Sequence, residues 1–324
     1  MASFYLMSMA GEFADEGMML NTLQTIMKRF IRRRIRYSAE NQIHAWLFLA
    51  PALGFILVFN VFPLLRIFIM AFQTGSLISS RFNGLKNFVL VLSDPEFWHS
   101  IANTAIFAFV TVPVGMVLAM AIALCLNSRL RWRGFFEALF FMPYLTSVVA
   151  VGIVFRYLLN KDYGVVNYLL GICGFRPLDF LDNPKFNMPA LIIFGVWMSL
   201  AFNIIIMLSG LRNIDRQYYQ VADLYGASAW ERFRMITIPQ MIPILTFLAS
   251  MNLIASFKVY TAVYSLFNGK PGIGGGATTA VFYVFDKFYA DGKYGQGMAA
   301  AVLLFFIILL FTAMQNLALK ALSK

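Results

Sequence analysis

Gln220-Val221-Ala222-Asp223-Leu224-Tyr225-Gly226-Ala227-Ser228-Ala229-Trp230, running on to Ile236-Thr237-Ile238-Pro239, is a polar stretch caught between two apolar ones. Charged and small residues share one short helical pattern, a glycine ends it, and a proline opens the next apolar run. This is how a membrane domain presents a rigid knob to a soluble partner. The rest of the chain is the membrane domain. Its 324 residues are 60% hydrophobic and 13% charged, with a mean hydropathy of +0.72, whereas soluble domains carry about 25% charged residues. Such a chain cannot cover itself with polar surface, so its solvent is lipid.

Working outward, six charge-free runs flank the polar stretch: Trp46–Leu65, Ile101–Ser128, Ala138–Phe155, Phe186–Leu211, Met235–Phe257 and Tyr294–Leu319. Each is long enough, at about 1.5 Å per residue, to cross a hydrocarbon core of about 30 Å. None alternates as a transmembrane strand does, so the spans are helices. Lys and Arg set the orientation. Lys28, Arg29, Arg32, Arg33, Arg34 and Arg36 precede the first run. Arg129, Arg131 and Arg133 follow the second, Arg212, Arg216, Arg232 and Arg234 follow the fourth, and Lys320 and Lys324 close the chain. They outnumber Arg81, Lys86, Lys161, Arg176, Lys185, Lys270, Lys287 and Lys293 of the longer opposite loops. The bias places both termini and the polar stretch in the cytoplasm. The net charge of +11 is therefore a mark of membrane orientation; no basic, aromatic face of a nucleic-acid binder is present.

Residues 1–43 form an N-terminal cytoplasmic segment, and 44–324 the six-helix membrane domain, with the polar loop over about 212–239. Leu23, Ile26, Met27, Phe30 and Ile31 recur at helical spacing between basic residues, which predicts an amphipathic helix on the anionic inner leaflet. Glu12, Asp15 and Glu16 come before any basic residue, and no short apolar core with a cleavage site follows, unlike a signal peptide. Cys125 and Cys173 fall on opposite faces of the membrane and cannot pair.

Catalytic constellations are missing from the sequence. His44 and His99 are on opposite sides, and no Gly-rich loop leads into Lys-Ser/Thr, so there is no nucleotide site. The glycines at Gly269, Gly272 and Gly274–Gly276 read as a flexible outer loop. The runs hold no Asp or Glu for ion coupling and show no matching halves. Energy must then come from a partner gripped at the cytoplasmic face.

At this point the polar stretch resembles a family. Gly226, nine residues, then Ile236-Thr237-Ile238-Pro239 is similar to the signature of permease subunits of bacterial ABC importers, Glu-Ala-Ala, three residues, Gly, nine residues, Ile-x-Leu-Pro. Ala222, Asp223, Ala227, Ser228 and Trp230 fit the sugar-importer form, while Gln220 and Val221 depart from its Glu-Ala. Likeness to the maltose-importer type covers most of residues 80–320, including Pro143-Tyr144, Trp197 and Asn268-Gly269-x-Pro271, and the whole chain looks like permease subunits of alginate importers. The resemblance implies an all-α membrane protein of the type I importer permease fold, with a cytoplasmic coupling helix carried by Gln220, Ala222, Asp223, Gly226 and Ala227. Trp230 and Phe233 anchor its base. It implies a bacterial inner-membrane location, a second homologous permease subunit, a cytoplasmic ATPase dimer that binds ATP and Mg, and a periplasmic solute-binding protein. This chain itself is then no enzyme and holds no cofactor.

Polar residues within apolar runs are costly and serve either a ligand path or helix–helix bonding. The candidates for the substrate path are Tyr144, Ser147, Ser199, Asn203, Asn252, Ser256, Lys258 and Tyr260. Laid on the maltose type, Tyr144, Ser199, Asn252 and Ser256 fall at sugar-contacting positions, while Val148, Met198 and Val259 make others apolar. Lys258 interrupts an apolar region with no acidic residue nearby. Its charge is met by an anionic substrate such as a uronate (alginate-type) oligosaccharide, or it snorkels to the interface, or it pairs with another subunit. The outer loops Gln73–Ser100, Asn160–Lys185 and Asn268–Lys293 offer a docking surface for a soluble binding protein. The function expected is import of an oligosaccharide, acidic in charge; a neutral oligosaccharide, or a membrane scaffold or channel with a similar helix, are the alternatives.

Overall fold

The computed structural model describes residues 42–76, 79–128 and 131–322. The helix expected over Leu23–Ile31 lies outside the described residues. The chain divides into two units, Met1–Arg66 and Ile67–Lys324. In the first, residues 42–66 belong to the leading helix α1, Gln42–Ala71, which contains a π turn at Leu57–Val61. Phe55 and Phe59 stack one turn apart at 5.6 Å, and the apolar side chains of this unit are largely exposed, as lipid or a partner requires.

The second unit opens with a small hairpin, β1 Gln73–Gly75 against β2 Ser80–Phe82, so the fold is all-α apart from two short strands. The helices that follow are α2 (Lys86–Leu92), α3 (Pro95–Asn127), α4 (Arg133–Leu145), α5 (Val148–Leu158), α6 (Val165–Ile172) and α7 (Pro184–Asn213). Then come α8 (Arg216–Leu224), α9 (Ala229–Phe257), α10 (Thr261–Leu266), α11 (Ala280–Phe285) and α12 (Tyr294–Leu322). Among the described residues five helices, α1, α3, α7, α9 and α12, are long and apolar enough to cross a membrane. The sixth expected crossing, Ala138–Phe155, is not one straight helix. It breaks at Thr146-Ser147 into α4 and α5, bent by 102°. The sequence shows why: Pro143 has no N–H to give the Leu139 carbonyl, and the helix closes where the Pro143 carbonyl accepts both the Thr146 N–H at 3.3 Å and the Thr146 hydroxyl at 2.7 Å.

The centre of the unit is the long crossing of α3 with α7. Small residues let it close. Gly115 faces Ser199, whose Oγ lies 2.5 Å from where a Cβ would stand, and Gly195 accepts the Phe107 ring. Small residues at such crossings are the usual membrane solution, because lipid offers no hydrophobic drive between helices. Below them Ala119, Ala123, Met207, Leu211 and Met241 pack α3, α7 and α9 together. Toward the other end, Phe155, Phe194, Leu266 and Phe282 join α5, α7, α10 and α11.

That other end is pinned by buried asparagines. Asn87 donates to the carbonyls of Ala71 and Gln73 at 2.9 and 2.7 Å. Asn103 donates to Thr278 across 175 residues of sequence, and Asn167 bonds the loop at Asn160 and Leu178. Asn187, fully buried, donates to the carbonyls of Leu181 and Asn183 at 3.0 Å and accepts the Ile273 N–H at 2.9 Å. The glycine loop expected to be flexible is thus tightly held. Gly272, at φ +77°, leaves 2.2 Å between a would-be Cβ and the Asn187 amide, and Gly276 leaves 2.6 Å to the Pro184 carbonyl. Its glycines are there for close approach and left-handed backbone.

A charged clamp closes the same end. Lys287 Nζ lies 3.3 Å from Asp94, 3.2 Å from Glu96 and 3.5 Å from Asp291, and the Tyr283 hydroxyl donates to Asp94 at 2.8 Å. Burial pushes the Asp94 carboxyl up, but bonds from Tyr283, the Glu96 N–H and Lys287 outweigh it and hold it below its ordinary value. Burial lowers Lys287, and its carboxylate partners more than restore it, to above the ordinary lysine value. A depressed Asp stabilises above its unfolded pKa and stops doing so as pH falls through the lower folded one. A raised Lys stabilises below its unfolded pKa and stops as pH rises through the folded one. The clamp should therefore hold from about pH 5 to about pH 10. The amide protection factors of residues 280–293 should stay flat across that window and fall in Lys287→Met at every pH within it. Unchanged protection in the variant would remove the clamp from the account.

Candidate functional site

The stretch quoted first folds as α8, a tight turn and the base of α9. Asp215 caps α8 by accepting from the Gln217 N–H at 2.9 Å. At its far end Gly226 takes φ +72°. The Gly226 N–H bonds the Asp223 carbonyl at 3.1 Å and the Ala227 N–H bonds Ala222 at 2.9 Å. This is the glycine-terminated Schellman pattern. Two residues later Ser228 starts α9 with a capping box: its Oγ accepts the Glu231 N–H, and Glu231 accepts the Ser228 N–H at 2.7 Å. The nine-residue spacing from Gly226 to Ile236 is then one cap, one helical turn and a π turn, Phe233–Thr237, before Pro239 enters the first α-helical turn.

Contacts within the chain fix α8 to that base. Tyr219 and the buried Thr237 share a hydroxyl bond at 2.9 Å, and Asp223 pairs with Arg232. Trp230 and Phe233 rest against each other at 5.5 Å, although Trp230 itself is exposed. Gln220 and Asp223 are exposed, and Ala222 and Ala227 half-buried. A Cβ on Gly226 would meet nothing within 4 Å, so within this chain the glycine answers to backbone conformation and not to crowding. What α8 leaves bare is apolar: Leu224 and Tyr225 are each 87% exposed, with Val221 beside them. The result is a short, doubly capped helix with an exposed apolar tip.

The expected path residues are spread over α4, α5, α7, α9 and the start of α10. Tyr144 ends α4, exposed, stacked on Phe141 and Phe202 at 5.7 and 6.0 Å. Ser147 begins α5 beside the bend. Ser199 bonds back to the Val196 carbonyl at the α3 crossing. Asn203 is buried and accepts from Asn252 at 2.8 Å, a clasp between α7 and α9; its own Nδ2 has no partner. Ser256 is buried, too. Tyr260 joins an aromatic ladder, 4.8 Å from Phe285, which lies 4.7 Å from Tyr289.

Lys258 stands at the C-cap of α9, exposed, and makes no ion pair among the described residues. The negative end of the helix dipole favours an ammonium there. The helix end thus gives its charge one favourable partner within this chain. A hollow of about 850 Å³ between α3, α9 and α12 is lined by Met116, Val117, Leu245, Leu253, Phe311 and Met314. It offers hydroxyl-rich ligands almost nothing to bond. No group of His, Cys, Asp or Glu among the described residues is arranged to hold a metal.

Sequence reasoning passed over Glu137. It pairs with Arg133 at 2.8 Å and with Arg212 on α7. The signal was present as an i,i+4 Arg–Glu spacing at the start of an apolar helix.

Comparison with known proteins decides the class. Residues 111–324 match the family described as "Binding-protein-dependent transport system inner membrane component". The chain belongs to that family. Its members are membrane permease subunits and not enzymes, and this one is a multi-pass component of the inner membrane. It is 33% identical over 276 residues to the lactose transport system permease protein of Rhizobium radiobacter, covering 83% of this chain and 92% of that one. It is 34% identical over 269 residues to the trehalose/maltose transport system permease protein of Thermococcus litoralis, covering 82% and 90%. In fold it matches a bacterial ABC transporter involved in import of the acidic polysaccharide alginate. The TM-score is 0.78 at 22% identity, over 90% of this permease and 100% of the other chain.

Proposed function

We propose that this permease subunit moves an oligosaccharide inward across the membrane, driven by a separate ATPase dimer that binds ATP and Mg. α8 is the helix that the ATPase grips, with Gln220, Ala222, Asp223, Gly226 and Ala227 forming its docking end. The observation that supports this reading is the doubly capped α8 with Val221, Leu224 and Tyr225 bare at its tip. The family's binding-protein dependence supports a soluble binding protein at the opposite face, and a second permease subunit completes the path. In this reading both termini are cytoplasmic, and Tyr144, Ser199, Asn203, Asn252, Ser256, Lys258 and Tyr260 flank the route.

We further propose that the cargo is acidic. An exposed ammonium at Lys258, two residues from the stacked Tyr260, combines a charge for a carboxylate with a ring for a sugar face. A neutral cargo is the second reading, and the relatives named for lactose and trehalose/maltose favour it. Uptake into proteoliposomes containing the whole complex separates them. Lys258→Met should slow uptake of uronate oligomers about tenfold, the worth of one charged contact, and leave neutral oligomers unaffected. Equal rates for both cargoes in wild type and variant would establish the neutral reading.

A further inference from the structure

We propose that Glu137 is the positioning residue through which movement of α8 reaches the bent span. The proposal rests on the reading of α8 as the ATPase-contacting helix. Arg212 lies in the last turn of α7, three residues before the Asp215 cap of α8. Glu137 lies near the start of α4, seven residues before Tyr144, on the helix that leads into the 102° bend. One carboxylate oxygen, Oε1, accepts from Arg212 Nη2 across the helix boundary and from Arg133 Nε within α4 at 2.8 Å.

The arrangement is directional. Arg133, one turn away on the same helix, orients the carboxylate, and Arg212 reaches it from α7. Around them the apolar Leu126, Phe140, Ile204 and Leu208, with Ser209 and Asn213, line a hollow of about 270 Å³. Apolar contacts of that kind slide with little resistance, whereas a guanidinium shared on one oxygen fixes register. Only Ile214 separates the end of α7 from the α8 cap, so a displaced α8 has almost no slack before it moves Arg212. α4 must then follow, and the bend it leads into opens or closes. The three side chains are partly exposed, and such pairs add little stability. Position is what distinguishes this one.

The test is a double-mutant cycle in proteoliposomes holding the assembled complex, with sugar uptake and ATP hydrolysis measured together. Glu137→Gln and Arg212→Gln should each lower sugar moved per ATP by roughly 3- to 10-fold, the coupling typical of such networks. The double variant should be no worse than either single. Assembly is checked by co-purification; where Arg212→Gln does not assemble, Arg212→Lys takes its place, with an expected loss of about 2- to 3-fold. Single variants with the wild-type ratio, or losses that multiply in the double, overturn the proposal while ATP-driven uptake by wild type upholds the import reading. A wild-type complex with no ATP-driven uptake overturns both.

Discussion

Gly226→Val should leave the assembled complex without coupled transport. The glycine sits at φ +72°, where a β-branched residue is strained by at least about 1–2 kcal/mol. Relieving that strain means giving up the bonds from Gly226 to Asp223 and from Ala227 to Ala222. The last turn of α8 then unwinds, and Leu224 and Tyr225 lose their fixed direction. Since no atom lies within 4 Å of the added Cβ, the rest of the fold should not notice. The expected result is normal abundance and assembly, ATP hydrolysis that continues or rises, and sugar uptake reduced more than about tenfold, as a loss above 1.4 kcal/mol predicts. Gly226→Asn, which tolerates the left-handed region, should recover much of the uptake. If valine transports as well as asparagine does, backbone conformation is not what the position supplies.

Asn187→Leu should be the most damaging single change at the opposite end. The leucine is nearly isosteric, so the cost is polar. The Leu181 carbonyl and the Ile273 N–H lose the fully buried Asn187 amide as partner, while the Asn183 carbonyl keeps the Phe186 N–H at 3.0 Å. At about 1–3 kcal/mol for each unsatisfied group, the total is roughly 3 kcal/mol or more. Because the same amide holds Gly272 and Gly276 close, the whole 269–276 loop should loosen with it. Thermal unfolding in detergent and protease cleavage in that loop are the measurements. Intact resistance to cleavage would show that the loop holds itself.

Much of the architecture was legible because lipid is a simple solvent. Charge-free runs have only one stable form there, so α3, α7, α9 and α12 follow from the sequence within a few residues. The bend in the third span was harder, since Pro143 also occurs in straight membrane helices and only its neighbour Thr146 tips the balance. The glycine loop misled for a different reason. Composition alone cannot tell a glycine that gives freedom from one that gives room, and Asn187, 86 residues before Ile273, supplies the difference. At the candidate site, spacing located α8, its caps and its glycine, because those depend on neighbours in sequence. Lys258 showed the limit: a run of letters does not reveal that a lysine stands at the C-cap of a helix. Glu137 showed only its i,i+4 partner Arg133, since Arg212 comes from another helix.

The π turn at Phe233–Thr237 has a geometric consequence for α9. One extra residue in a turn rotates everything beyond it by about 100° relative to an unbroken helix. The polar base Ala229–Arg232 and the apolar length Ile238–Phe257 are therefore out of phase by design of the backbone. One part can turn its arginine toward α8 while the other turns Met241 and Leu248 into the core. A single rod thus carries two faces that were free to be chosen separately, one for the membrane and one for whatever meets α8.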